Sequence, residues 1–400
     1  MSKDTDVVIV SAARTAIGTF GETLREVRAH KLAAHVMREV LKRANNLDPN
    51  VVSDVIVGDC LQNVDEANTA RVAALAAGIP PQVTAFTVQR NCASSMQALI
   101  SGTQQILCQD SDVVLVAGVE SMSSAPYYLD KARWGMRLRN HEVIDSVWEA
   151  LHSGSRILGE SMIMGITAEN LAEKDDISRE DQDQVALESN NKAEAAIKAG
   201  LFAEEIVPME VSGGKGEPVV FLQDEHPRFG LTIGDLAKLK PVFKKDGTVT
   251  AGNSSGINDG AAAAVIMTRK RAKELDLTPL ARIVNHSIAG VEPQYMGYGP
   301  VPATEKVLKK AGMTLKDVQL IELNEAFAAQ YLACERKLGI DRDITNVNGS
   351  GISLGHPVGC TGLRIVVTLV YEMIRRDVNV GLATLCVGGG MGMATIVARE

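Results

Sequence analysis

The sequence predicts an α/β protein made of two similar halves separated by a long insertion. Three observations carry that expectation. Short apolar runs alternate with longer stretches of 3.6-residue period, the same order returns from about Arg282, and residues 120–249 break the rhythm. In the first half the reading runs strand Val7–Ser11, helix Lys31–Arg43, strand Asp54–Gly58 and helix Thr69–Ala77. Strand Ala85–Gln89, helix Ser94–Gln109 and strand Asp112–Gly118 follow. The second half repeats it: strand Arg282–Asn285, helix Ala303–Ala311, strand Val318–Glu322, helix Glu325–Leu338. Strand Ile344–Val347, helix Cys360–Arg375 and strand Gly381–Leu385 complete it. Alternation of this kind predicts parallel sheets with right-handed crossovers.

Two pairs of fragments point to duplication. Gly260–Arg269 echoes Gly390–Arg399, each a closing strand of small residues, and Asp54–Gly58 echoes Asp317–Ile321 more weakly. The expected units are residues 1–119 with 250–271, an inserted loop domain over 120–249, and residues 272–400. The insertion holds helix-like Glu180–Ala199, both tryptophans (Trp134, Trp148) and the turn-rich Ser212–Pro218. Insertions of this length usually carry binding sites.

Composition removes several function classes. With 46% hydrophobic and 22% charged residues the chain is globular, and a net charge of −8 argues against a general nucleic-acid binder. No apolar run approaches the ~18–20 residues of a membrane span. The six cysteines include no C-x-x-C pair, which excludes a disulfide scaffold and the common zinc spacings. Neither a signal-peptide core nor a peroxisomal address is read at the ends, so a cytoplasmic, reducing location is expected. One basic stretch interrupts the acidity. Lys131, Arg133, Arg137 and Arg139 lie close together around Trp134, either a solvated loop face or a landing site for a phosphate-rich ligand.

Three segments carry chemistry. In Val88–Leu99 an apolar strand ends and Cys92 sits where the next helix begins. A helix N-terminus offers free N–H groups and partial positive charge, so a lowered thiol pKa and a set of oxyanion donors are expected there. Cys108 and Cys334, by contrast, read as buried structural cysteines. Glycine-dense Asn348–Gly362 surrounds His356, a candidate base for a cysteine nucleophile. Its glycine spacing is neither a P-loop nor G-x-G-x-x-G. In the third segment, Thr384–Gly392, a strand delivers Cys386 into a glycine turn. With it goes Asn324-Glu-Ala-Phe327, whose amide can hold a water or an oxyanion.

Taken together these segments resemble the thiolase family over essentially the whole chain. The motifs are N-C-A-S-S-M-Q at Cys92, A-G-N-S-S-G-I-N-D-G at 251–260, N-E-A-F at 324–327, G-H-P at 355–357 and C-V-G-G-G-M-G at 386–392. The resemblance implies a thiolase-like five-layer sandwich of two duplicated βαβαβαββ halves with an inserted loop domain. It implies a reversible Claisen condensation of acyl-CoA with acetyl-CoA to 3-oxoacyl-CoA plus CoA, with coenzyme A thioesters as substrates and no metal or redox cofactor.

Roles follow from the matched motifs. Cys92 is similar to the acylated nucleophile, His356 to its proton acceptor, and Cys386 to the acid/base at the α-carbon. Asn324 would hold the water that, with His356, stabilises the enolate, while the N–H groups of Cys92 and Gly388 would form a second oxyanion hole. For CoA, the resemblance suggests Lys131 and Arg133 near the phosphates, Arg228 near the adenine and Ser255 on the pantetheine arm. Phe243, Phe327 and Met164 would bound the acyl tunnel. Ile163 stands where short-chain members typically carry a histidine, which makes the pocket more apolar and leaves acetoacetyl-CoA preference open. A homodimer or homotetramer is expected, without nucleic-acid or membrane partners. Two other readings stay open: a ketoacyl-synthase-type condensing enzyme, which typically pairs its cysteine with two histidines, and a non-catalytic acyl-CoA or lipid carrier. A carrier would have no use for Cys92, His356 and Cys386 together.

Overall fold

Alternate residues of the central strands are apolar on both sides, and each side faces a different core. In the computed structural model, which describes residues 3–160, 162–213 and 217–400, strand β1 (Val7–Arg14) sends Val8 and Val10 to one core and Val7 and Ile9 to another. The first half continues with β2 (Asp54–Gly58), β3 (Thr84–Val88), β4 (Val113–Ser121) and β5 (Asn258–Thr268). The second supplies β6 (Ala281–Gly290), β7 (Leu320–Leu323), β8 (Val380–Val387) and β9 (Met391–Arg399).

These strands lie in the order β7-β8-β9-β6-β1-β5-β4-β2-β3, with short Gly18–Thr19 pairing on β5. The two halves meet where Val8 and Ile9 pair with Arg282 and Ala281. The expectation of wholly parallel sheets is corrected. Only β2 with β3, β2 with β4, and β7 with β8 run parallel, because each half closes with a hairpin-like return strand that must run antiparallel. The expected strand Ile344–Val347 is reduced to a single parallel bridge between Thr345 and Ile321. The segment instead runs as a tight turn, with Asn346 in the left-handed region (φ 47°).

Helices complete five layers. Helices α1 (Ala29–Arg43) and α2 (Thr69–Ala76) cover the outer face of the first sheet, and α3 (Ser94–Cys108) covers its inner face. The insertion contributes α4 (Met164–Lys174) and α5 (Arg179–Lys198). In the second half α6 (Pro300–Ala311) and α7 (Ala328–Leu338) lie outside, and α8 (Val358–Arg376) packs against α3 between the sheets. Cys334 is buried as expected, but Cys108 is exposed, because it ends α3 at the surface.

The insertion leaves the first sheet after Ser121 and rejoins it at Asn258. It does not form a core of its own. Ala168, Leu171, Val185 and Leu236 join Val307, Leu323 and Phe327 in the outer core of the second half. It is also pinned to β1 by Arg14, a fully buried cation 2.6 Å from Glu205 and 2.7 Å from Asp224. A buried guanidinium is tolerable only when paired in this way. Of the turn-rich Ser212–Pro218 stretch, residues 214–216 lie outside the described residues, as does Ser161.

Candidate active site

Cys92 reaches its position through a strained elbow. Between β3 and α3, Asn91 takes a left-handed φ of 43°, uncommon for a residue with a side chain and frequent at functional turns. The elbow is closed by Ala93 N–H to Arg90 O (3.0 Å) and by the Ser94 hydroxyl to Asn91 O (2.7 Å). The start of α3 lies directly on the sheet because Gly58 and Gly118 leave room. A Cβ there would fall 2.2 Å from Ser94 C and 2.1 Å from the Ser95 Cβ, respectively. Ser95 then accepts from Leu363 N (2.8 Å) and donates to Cys360 O (2.9 Å), locking α3 to α8.

From the second half comes the glycine turn Gly388–Gly390. Asn91 Nδ2 donates to Gly388 O (2.7 Å), and the nearby Gly388 N–H favours the Cys92 thiolate. Cys92, Gly388, Met164, Ser153, Leu151 and Val358 line one cavity of about 380 Å³. Beneath it Cys386 is fully buried beside Cys92. Burial pushes both thiols up, Cys386 well up and with a further push from neighbouring Cys92. The lowered Cys92 pKa expected from the helix N-terminus is therefore corrected. Desolvation outweighs the Gly388 N–H and the helix end, so the thiol needs a base.

His356 stands just before α8 and, unlike Val358, does not line the Cys92 cavity. Its N–H donates to Asn258 Oδ1 (2.9 Å), and Nδ1 lies 2.7 Å from Thr361 Oγ1. The single Thr361 hydroxyl proton goes to Pro357 O (2.9 Å), so Thr361 must accept from Nδ1–H. That assigns the tautomer with an unprotonated Nε2, which is buried and has no protein partner. Burial, with Arg364 nearby, holds the imidazole down at about 3, so it is neutral over the whole physiological range. Cys92 follows β3, Asn324 directly follows β7 and Cys386 ends β8, as expected. His356 does not sit at a strand end but at the start of α8, which mirrors Cys92 at the start of α3.

Asn324 is fully buried, and neither its Oδ1 nor its Nδ2 has a protein partner. An amide in that state is equipped to hold a water or an oxyanion. The Phe243 and Phe327 rings meet edge to face at 6.2 Å, and Phe243 covers Gly165, next to Met164. Ser255 N–H bonds to Ala326 O (2.9 Å), which brings the 251–260 motif onto N-E-A-F. His226 packs on Gly256, and Arg228, exposed, donates its backbone N–H to Asn190 Oδ1 (3.1 Å). Lys131 and Arg133 are exposed and do not line the Cys92 cavity. Sequence reasoning missed Asn91, Asn258, Thr361 and Glu120. Asn91 and Thr361 lie within five residues of Cys92 and His356 and so were local signals, whereas Asn258 and Glu120 act across long sequence separations.

Residues 7–270 match the thiolase N-terminal domain and residues 277–399 the thiolase C-terminal domain. The chain belongs to the thiolase family. It is 49% identical to an acetyl-CoA acetyltransferase of Pseudomonas aeruginosa, over 99% of this chain and 100% of that one. The crystal structure of the Bacillus anthracis acetyl-CoA acetyltransferase superposes with a TM-score of 0.96 at 52% identity, covering 99% of both chains. Human mitochondrial 3-ketoacyl-CoA thiolase in complex with CoA gives 0.94 at 43% identity, covering 99% of this chain and 98% of that one. The thiolase fold and the acyltransferase activity of a thiolase follow from this membership.

Proposed function

We propose that this thiolase works on coenzyme A thioesters through an acyl-Cys92 intermediate, joining acyl-CoA and acetyl-CoA to 3-oxoacyl-CoA plus CoA and running the reverse thiolysis. The observation that carries the residue roles is the meeting of Cys92 with the Gly388 N–H above buried Cys386. In acylation the Cys92 sulfur attacks the thioester carbonyl, its proton passes to His356 Nε2 and stays there, and the CoA sulfur takes the Cys386 proton and departs as the free thiol, leaving Cys386 as the thiolate. The developing oxyanion is met by the N–H groups of Cys92 and Gly388. In condensation Cys386 removes the α-proton of acetyl-CoA, and the resulting carbanion attacks the acyl carbonyl and expels Cys92. A water on Asn324, with His356 as donor once protonated, stabilises the enolate oxygen. The thioester itself supplies leaving group and acidity, so no metal or redox cofactor is required.

Binding roles follow the expected pattern: Ser255 and Arg228 along the CoA arm, and the unpaired cations Lys131 and Arg133 toward its phosphates. Phe243, Phe327, Met164 and Ile163 form the acyl wall, whose apolar character favours 3-oxoacyl chains longer than four carbons. A cytoplasmic homodimer or homotetramer fits exposed Trp134 (85%) and Leu138 (92%) on the insertion. No helix among the described residues is long and apolar enough to cross a membrane. The test is thiolysis of a 3-oxoacyl-CoA series from C4 upward, with intact-mass detection of acetyl on Cys92. Binding of acyl-CoA without turnover would turn the reading to a carrier.

A further inference from the structure

Glu120, in β4, is fully buried and bridges the two halves of the site. Its Oε1 accepts from Leu61 N (3.1 Å), and its Oε2 accepts from Gly359 N (2.9 Å), the second residue of α8. Cys60, beside Leu61, donates its thiol to Asn91 O (2.9 Å), the carbonyl just before Cys92. One carboxylate therefore ties the loop under the nucleophile to the helix that begins at His356. A negative group at a helix N-terminus is also favoured by the macrodipole.

A second carboxyl group, that of Asp59, lies within hydrogen-bonding reach of Glu120 and is equally buried. Its Oδ2 accepts from Thr69 Oγ1 (2.6 Å), while its Oδ1 has no donor. Other titratable groups facing the pair are Cys60, Cys92 and Glu66, and Glu66 is held by Arg28 (3.1 Å) and His30 (2.8 Å). Two adjoining carboxylates without a cation between them cannot both ionise. Both Glu120 oxygens accept N–H groups, and burial with Asp59 beside it pushes the Glu120 carboxyl well above its usual range, so the pair shares one proton and carries one negative charge between Glu120 and Asp59 Oδ1.

We infer that Glu120 is a positioning residue: sharing one proton with Asp59, it clamps the Cys92 loop to the His356 helix. The inference rests on the proposed roles of Cys92 and His356. It is tested on the full chain with Glu120→Gln and Asp59→Asn, reading acetylation of Cys92 by acetyl-CoA and the pH midpoint of its alkylation by iodoacetamide. Glu120→Gln removes one acceptor and moves the pair's charge onto Asp59, away from Cys92. Acetylation should slow by ~10–100-fold through misalignment, and the alkylation midpoint should move down. Asp59→Asn replaces the proton with an amide N–H, so acetylation should stay within ~3-fold of wild type with an unmoved midpoint. Wild-type acetylation and midpoint in Glu120→Gln would overturn the clamp. A midpoint in Asp59→Asn that moves as in Glu120→Gln would overturn the shared proton. If Glu120→Gln does not fold, Glu120→Asp keeps the charge one carbon short of Gly359 and should slow acetylation at an unmoved midpoint; a wild-type rate there counts against the clamp. Wild-type protein that alkylates at Cys92 yet turns over no 3-oxoacyl-CoA would refute the proposed function alone, since alkylation reads the clamp without turnover.

Discussion

The two halves share a strand order, save for the edge strand the second half lacks, and differ most at one connection. Between β8 and β9 the second half spends only Gly388–Gly390, while the first half spends residues 122–257 between β4 and β5. The tight turn gives a floor of backbone N–H groups beside Cys92, and the long excursion gives the cover, including Met164 and Ser153, above it. The inner helices show the same division of labour. The start of α3 presents a thiol on a strained elbow, and the start of α8 presents an imidazole whose Nδ1 lies 2.7 Å from the Thr361 hydroxyl. Duplication supplied two equivalent helix ends, and chemistry came from making them unlike.

The harshest test of that division is at the two cysteines. Cys92→Ala should lose both reaction directions by ~10⁴-fold or more, since the acyl group has nowhere to reside. Cys386→Ala should still accept acetyl on Cys92, but should neither condense it nor exchange solvent deuterium into the methyl of acetyl-CoA. Acetyl on Cys386, or exchange at the wild-type rate without it, would erase the distinction. At the imidazole, Thr361→Val keeps shape but removes the acceptor for Nδ1–H. A fall of ~10–100-fold in the acetylation rate with an unchanged fold is expected; an unchanged rate would show that Thr361 does not set the tautomer.

A smaller effect belongs to the turn. Gly390 has φ 87°, and a Cβ there would meet Val291 O at 2.4 Å, so Gly390→Ala should cost about 1–3 kcal/mol in urea unfolding. The smallest concerns acid. His356 is held down to about 3 from an ordinary 6.5, so the unfolded chain takes up its proton first. Its contribution is fully present above 6.5 and is lost as pH falls through the window toward 3. Wild type should therefore lose more stability between pH 7 and pH 5 than His356→Gln does.

Much of this was readable beforehand, for reasons that differ by residue. Cys92, Asn324 and Cys386 each follow an apolar run, and strand ends are visible as the point where such a run gives way to polar or glycine residues. The expected helix Cys360–Arg375 was legible from its periodicity, yet its first turn at Val358 was hidden behind Gly355-His-Pro, which left His356 assigned to a strand end. Strand direction was not legible, because β5 and β9 are apolar on both faces, as a parallel strand would be. Cys92 misled differently. Its helix end is local and visible in sequence, but the burial that raises its pKa comes from elements far along the chain. Glu120 and Asn258 share that remoteness: each supports His356 or α8 from a strand of the other half.

The insertion's side chains in the outer core of the second half bear on how the protein can be made. Strand β1 finds its neighbours only in β5 and β6, both translated after the whole insertion. An emerging chain must therefore hold an unpaired apolar strand until most of its length is synthesised. Pairing across such separations is intrinsically slow and leaves edges open to association. Residues 272–400 produced alone would lack Ala168, Leu171, Val185 and Leu236 against Val307 and Phe327. Cutting the chain at the duplication boundary should therefore yield aggregating fragments, and a two-piece version of this enzyme would have to be co-expressed.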